Sequence, residues 1–260
     1  MMIPSLYTSF GSWTVQTYTL VVGAAAVLAA ALALWSRPSA ERKRWADVLL
    51  GGLVGAVVGA RLLHVLLNAD YFVDHRQEAL QIAAGGLDWH GALFGGLIGL
   101  ALLARLRAPA VGLRRLLPAL AWALPLLTLG GWYGCLSAGC ATGYEVDTLA
   151  RYPAWVAVEY ADVYGIVAPR LFTPGFGLAL GLIGLVWVAL LRRHPQRFAL
   201  TLAFISAGMF GISIFRADRM PLWFGLRADQ VLDIFTITVS LLWVGWTAIK
   251  RTRKEHANGF

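Results

Sequence analysis

Seven apolar runs, each close to the length of a bilayer-spanning helix, constrain this 260-residue chain more than any other feature. They cover roughly 14–35, 46–67, 88–104, 116–136, 174–191, 198–215 and 228–248. A spanning helix needs about 20 predominantly apolar residues. Backbone amides in lipid must find partners inside the protein, so only helices and closed barrels cross. The short alternating segments of a barrel are absent, and all seven runs are rich in Leu, Ala, Val and Gly. The expected fold is an all-α integral membrane protein: one transmembrane domain over 1–260, a seven-transmembrane helical bundle with small periplasmic caps. Composition agrees, with 58% hydrophobic and 14% charged residues, against about 25% charged in soluble domains. Disordered, coiled-coil, collagen-like and disulfide-scaffold classes are excluded. The 28 glycines suit helices packed closely in lipid.

The net charge of +8 would suggest nucleic acid in a soluble protein. Here it sorts by loop instead. Arg37, Arg42, Lys43, Arg44, Arg105, Arg107, Arg114, Arg115, Arg192, Arg193, Arg197, Lys250, Arg251, Arg253 and Lys254 fall on one side, 15 of the 22 Lys and Arg residues. Eleven of the 14 acids fall on the other: Asp70, Asp74, Glu78, Asp88, Glu145, Asp147, Glu159, Asp162, Asp218, Asp229 and Asp233. The positive-inside rule then puts the N-terminus outside and the C-terminus in the cytoplasm. No nucleic-acid partner is needed. Basic residues follow the first apolar run rather than precede it, so a retained span fits better than a cleaved leader. Residues 68–87 and 137–173 are long enough to cap the bundle outside, and the second carries Tyr152, Trp155, Tyr160, Tyr164 and Phe172.

Ionisable groups at membrane depth are costly and often functional. Arg61 lies in the outer half of the second run, Asp88 and His90 open the third, and Arg216, Asp218 and Arg219 follow the sixth. Arg227, Asp229, Gln230 and Asp233 open the seventh. Arg61, His90, Arg216 and Asp233 are expected to line one outward-opening cavity. Arg61 also reads as a structural clamp, snorkelling outward or paired with Asp233. His90 by position alone reads more readily as a satisfied interfacial histidine. Cys135 and Cys140 lack a CxxC and any second Cys/His group, so no metal is expected. Free core cysteines are the default. The outside location leaves a disulfide open, although five helical residues would set the two side chains on poorly matched faces.

Trp13 to Leu20, Gly59-Ala60-Arg61-Leu62, Asn68-Ala69-Asp70-Tyr71-Phe72, Gly85 to Gly95, Phe215-Arg216-Ala217-Asp218 and Gly225-Leu226-Arg227-Ala228-Asp229-Gln230, in this order and at these spacings, together resemble the bacterial prolipoprotein diacylglyceryl transferase family, over about residues 12–248. Trp13 to Leu20, with Tyr18, resembles its opening aromatic pattern, and Gly59-Ala60-Arg61-Leu62 its second-span arginine motif. Asn68-Ala69-Asp70-Tyr71-Phe72 resembles the segment that follows, and Gly85 to Gly95 its Gly-Gly, aromatic, His-Gly-Gly motif around His90. Phe215-Arg216-Ala217-Asp218 and Gly225-Leu226-Arg227-Ala228-Asp229-Gln230 resemble the end of its sixth span and the start of its seventh. The family signature Arg-x-Gly-Asn-Phe-x-Asn-Gly-Glu-x-x-Gly keeps its glycine frame at Gly134, Gly139 and Gly143. Trp132 replaces its arginine, Cys135 its asparagine and Cys140 its glutamate. Met209 and Ser213 stand where its sixth span carries an Arg and a Glu, and the carboxylate ahead of its fifth span is missing. Gly-Cys patterns occur in divergent branches of the family, which usually keep the arginine.

The resemblance implies transfer of a diacylglyceryl group from phosphatidylglycerol, or another anionic phospholipid, to a cysteine thiol in a lipoprotein signal sequence. It implies no cofactor. The thiol must lose its proton, and the departing phosphate needs placed cations. His90 is the implied base. Tyr18, Arg61, Arg216, Asp218 and Gln230 are the implied substrate-binding residues, with Gly134, Cys135, Cys140 and Asp233 as further candidates. Three readings stand: a divergent diacylglyceryl transferase, a related membrane enzyme of other specificity, and a non-catalytic lipid-binding protein on the same scaffold.

Overall fold

A computed structural model describes residues 6–10, 13–82, 85–107 and 113–257. The side chains of Arg114, Arg251, Arg253 and Lys254, counted above among the cations, lie outside the described ones. Nine α-helices and three short hairpins are found among the described residues. The helices are α1 (Thr17–Trp35), α2 (Ser39–Leu67), α3 (Ala69–Asp74), α4 (Trp89–Arg107), α5 (Leu113–Leu120), α6 (Ala123–Ala138), α7 (Thr173–Leu190), α8 (Arg197–Ser213) and α9 (Ala228–Ala257). The antiparallel pairs are β1–β2 (Tyr7–Phe10, Trp13–Gln16), β3–β4 (Ala157–Ala161, Val167–Leu171) and β5–β6 (Leu222–Trp223, Leu226–Arg227). Five helices are long and apolar enough to cross a membrane: α1, α2, α4, α7 and the Ala228–Lys250 part of α9. The helix α8 is apolar but shorter. This is an all-helical membrane protein with small hairpin additions.

The fourth run, expected as one helix over 116–136, is instead broken. Helix α5 ends at Leu120 and α6 starts at Ala123. Pro118 and Pro125 flank the break, and each ring removes a backbone donor and crowds the preceding turn. The expected start at residue 14 also shifts, because Trp13–Gln16 pairs as a strand with Tyr7–Phe10 before α1 begins.

The chain divides into two compact units. One comprises 30–119 and 220–232, and its centre is the antiparallel α2–α4 pair. Both helices carry glycine at every fourth position: Gly51, Gly55 and Gly59 on α2, Gly91, Gly95 and Gly99 on α4. A Cβ added at Gly59 would lie 2.3 Å from the Gly91 carbonyl oxygen, and one at Gly95 would lie 2.2 Å from that of Gly55. The two backbones therefore touch directly, which only small residues permit. That contact sets the register: Asp88 donates its backbone N–H to the Ala60 carbonyl at 3.1 Å.

The other unit comprises 1–29, 120–219 and 233–260. Trp132 of α6 lies on Gly177 of α7, where a Cβ would come 2.0 Å from the indole. Trp132, Leu180, Ile205 and Ile212 form its core, with Phe176 and Met209 packed against them. The expected cap over 137–173 folds around the β3–β4 hairpin. Its Tyr160 hydroxyl donates to the Leu171 carbonyl and accepts from the Gly143 N–H, both at 2.9 Å. Burial pushes the Tyr160 phenol up. Arg170 ties the hairpin to Glu145 at 2.8 Å and Asp162 at 3.1 Å.

Candidate functional site

Asp88 is the residue before α4, and its carboxylate caps the helix. Its Oδ1 accepts from the backbone N–H groups of His90 at 2.8 Å and Gly91 at 3.1 Å. A carboxylate at a helix N-terminus both satisfies open donors and meets the positive end of the dipole. The same Oδ1 lies 3.5 Å from Nδ1 of His90. Burial alone would raise the Asp88 carboxyl, but the His90 ring and the Gly91 and His90 amides outweigh it and hold the carboxyl below its ordinary range. His90 is fully buried, with its ring 4.1 Å from that of Trp89. An ionised Asp88 facing Nδ1 favours the tautomer with the proton there and the basic lone pair on Nε2.

Arg61 comes to the same end of α2 and is buried. Its guanidinium is held by backbone carbonyls of its own unit. Nε donates to Ala79 at 2.9 Å, Nη1 to Gly85 at 2.6 Å and Gly86 at 3.2 Å, and Nη2 to Glu78. Its guanidinium carbon sits 5.3 Å above the Phe72 ring. Carbonyls orient the guanidinium without neutralising it. The Gly85-Gly86 turn has positive φ at both residues, 90° and 71°, which glycine adopts freely. A Cβ at Gly86 would strike His64 Nε2 at 2.4 Å and Arg61 Nη1 at 2.8 Å. His64 therefore belongs to this cradle, one helical turn beyond Arg61. That i, i+3 spacing was its available signal.

A second group assembles in the other unit. Cys135 and Cys140 are joined in a disulfide, with Cα atoms 4.7 Å apart. This corrects the default expectation of free cysteines. Helix α6 stops at Ala138, and Gly139 turns left-handed at φ 67°, so Cys140 folds back over the helix end and donates its N–H to the Cys135 carbonyl. A Cβ at Gly139 would lie 2.4 Å from the Asp162 carbonyl oxygen. Gly134 accommodates Tyr18, whose ring a Cβ there would meet at 2.5 Å. After the disulfide the chain zips onto the end of α8: Ala217 donates to Thr142 at 2.8 Å and Tyr144 to Phe215 at 3.0 Å. Arg216 makes a bidentate pair with Asp218, at 2.8 and 2.6 Å. Tyr18, Gly134, Cys135, Cys140, Arg216 and Asp218 thus belong to one unit, together with the buried Asp233.

Gln230 lies with Arg61 and His90 in the unit containing residues 220–232. Its Oε1 accepts the Arg227 N–H at 3.1 Å and so caps α9, as a capping-box glutamine does. Arg227 also pairs with Asp229 at 3.1 Å. Trp132 and Met209, at the two positions where arginines were expected by resemblance, pack in one apolar cluster. Trp132 is 6% exposed, and its Nε1 is buried with no hydrogen-bond partner among the described residues.

A model of the prolipoprotein diacylglyceryl transferase family matches residues 5–246. The chain is 25% identical over 255 residues to the phosphatidylglycerol–prolipoprotein diacylglyceryl transferase of Geobacillus kaustophilus, covering 93% of each. It is 26% identical over 264 residues to the protein of that name from Streptococcus pyogenes, covering 98% of this chain and 97% of the relative.

Proposed function

Because the chain belongs to the prolipoprotein diacylglyceryl transferase family, we propose that it transfers the diacylglyceryl group of phosphatidylglycerol to a cysteine thiol of a prolipoprotein signal sequence. The observation that carries this reading is the Asp88–His90 pair at the start of α4, built on the glycine contact with α2. His90 takes the thiol proton at Nε2. The thiolate attacks the glyceryl carbon bonded to the phosphate ester oxygen; the C–S bond forms, the C–O bond breaks, and glycerol phosphate leaves. Asp88 fixes the tautomer and stabilises the imidazolium, a positioning role. Arg61 supplies fixed positive charge for the phosphate, since its partners are dipoles. In the form described the His90 ring is covered, so substrate binding must uncover it.

The chain is a multi-pass bacterial membrane protein. We place its N-terminus outside and its C-terminus in the cytoplasm. The loop cations support this orientation, as does the Cys135–Cys140 disulfide, which persists on an oxidising side. The test is complementation of a strain whose resident transferase is depleted. Growth with the wild-type chain and failure with His90→Ala supports the reading. Equal growth with both, or with neither despite normal membrane insertion, refutes it.

A further inference from the structure

The opposite end of the α2–α4 pair holds a second polar feature. An open cleft of about 500 Å³ is lined by Lys43, Arg44 and Asp47 from the first turns of α2 and by Leu106 and Arg107 from the last turn of α4. Three cations face one carboxylate there, so the cleft is complementary to an anion. It lies 17 residues from Arg61 along α2 and 17 from His90 along α4. At 1.5 Å per residue this is about 25 Å, close to the hydrocarbon thickness of about 30 Å. The cleft therefore meets the leaflet opposite the His90 end.

What continues from it is apolar. On α2 the Lys43–Asp47 row runs on through Leu50, Val54 and Val58, and on α4 the Leu106 row continues through Leu102 and Ile98. All six apolar side chains are exposed, Leu106 by 75%. Both rows run beside the glycine contact: Leu50, Val54, Val58 and Ile98 each immediately precede a glycine that meets the facing backbone. From Asp47 to Val58 the row is about 16 Å long. Fixed cations at the bilayer surface with a strip of exposed apolar side chains beneath them are what a phospholipid presents in complement.

We propose that this cleft is a binding site for the phosphate headgroup of an anionic phospholipid, with its acyl chains along the exposed apolar rows of α2 and α4. The site holds lipid of the opposite leaflet and braces the helix pair that positions His90. It does not depend on the chemistry proposed above.

The test uses the full-length protein in neutral detergent with phosphatidylserine, which is anionic and is not the proposed donor. Retained lipid is counted by native mass spectrometry and its affinity titrated. Wild type is expected to hold it and to prefer it to phosphatidylcholine, while inorganic phosphate fails to displace it. Lys43→Gln/Arg44→Gln/Arg107→Gln is expected to weaken retention about a hundredfold, from the usual contribution of each cation at an anionic surface. Arg192→Gln/Arg193→Gln, a charge change on a different loop, is expected to leave it unchanged. Equal retention by the triple variant, equal weakening by the control pair, equal affinity for phosphatidylcholine, or displacement by phosphate would each overturn the proposal.

Discussion

Gly95→Ala tests the contact on which the His90 end depends. The added Cβ would lie 2.2 Å from the Gly55 carbonyl oxygen and 2.8 Å from the Gly59 Cα. Ordinary contact begins at 3.4 Å, and the obstructing atoms are backbone. The helices must part by about 1 Å, more than a packed interface absorbs without loss. Overpacking of this kind costs about 1–3 kcal/mol, and the backbone location argues for the upper end. Alanine recovers about 1 kcal/mol of helix propensity, leaving a net loss of about 2 kcal/mol. For a chain of this size that is a fall in Tm of about 4–8 °C. Separation would also stretch the 3.1 Å Asp88–Ala60 hydrogen bond that sets the α4 cap. Gly131→Ala in α6 is the matched control, because a Cβ there meets nothing within 4 Å. Thermal unfolding in detergent micelles should put Gly95→Ala below wild type and Gly131→Ala at or above it. If Gly95→Ala melts as high as Gly131→Ala, the helices are not in backbone contact and the reasoning fails.

Other predictions follow from single groups. Asp88→Asn keeps the cap but loses the carboxylate charge, so its Tm at neutral pH should fall toward that of acid-titrated wild type, while transfer slows by roughly tenfold or more; an unchanged rate would remove Asp88 from the mechanism. The low Asp88 pKa stabilises the fold above the unfolded value of about 4, and this stability should be lost as pH falls through the depressed folded value. Asp88→Asn should flatten that acid dependence of Tm. Trp132→Arg restores the family residue but buries an unpaired guanidinium beside Leu180, Ile205 and Met209, and should cost about 3 kcal/mol or more. Trp132→Phe removes an unpartnered N–H and should be neutral or stabilising in the same melt. Thiol titration of the unfolded, unreduced protein should find no free thiol among its two cysteines. Reduction should lower stability by about 2 kcal/mol for so short a loop, and an unreduced protein with two titratable thiols would contradict the bridge.

Much of the scaffold was legible because lipid leaves a strong mark on sequence. The first apolar run corresponds to α1, the second to α2 and the fifth to α7, but helices also extend past the apolar runs, as α2 does back to Ser39 and α9 out to Ala257. Loop chemistry decided what was missed. Treating 135–140 as helix made a disulfide look unfavourable, yet the glycine before Cys140 was the sign of a left-handed stop. Partners of Arg61 were invisible because they are backbone carbonyls, which no side-chain pattern announces. Glycine spacing at 51, 55, 59 and 91, 95, 99 was present in the sequence as a packing code, but overall glycine content does not reveal which pair of helices it joins. Trp132 and Met209 lie far apart in sequence, and only the fold shows that they pack in one apolar cluster.

The most direct test of the central claim is transfer of labelled diacylglyceryl from phosphatidylglycerol to a lipobox peptide by the purified protein, followed by mass spectrometry of the peptide cysteine. The account predicts a thioether-linked diacylglyceryl product with release of glycerol phosphate. It also predicts a rate for His90→Ala lower by about 10²–10⁴-fold. No product from folded protein, or product formed equally fast by His90→Ala, would contradict it.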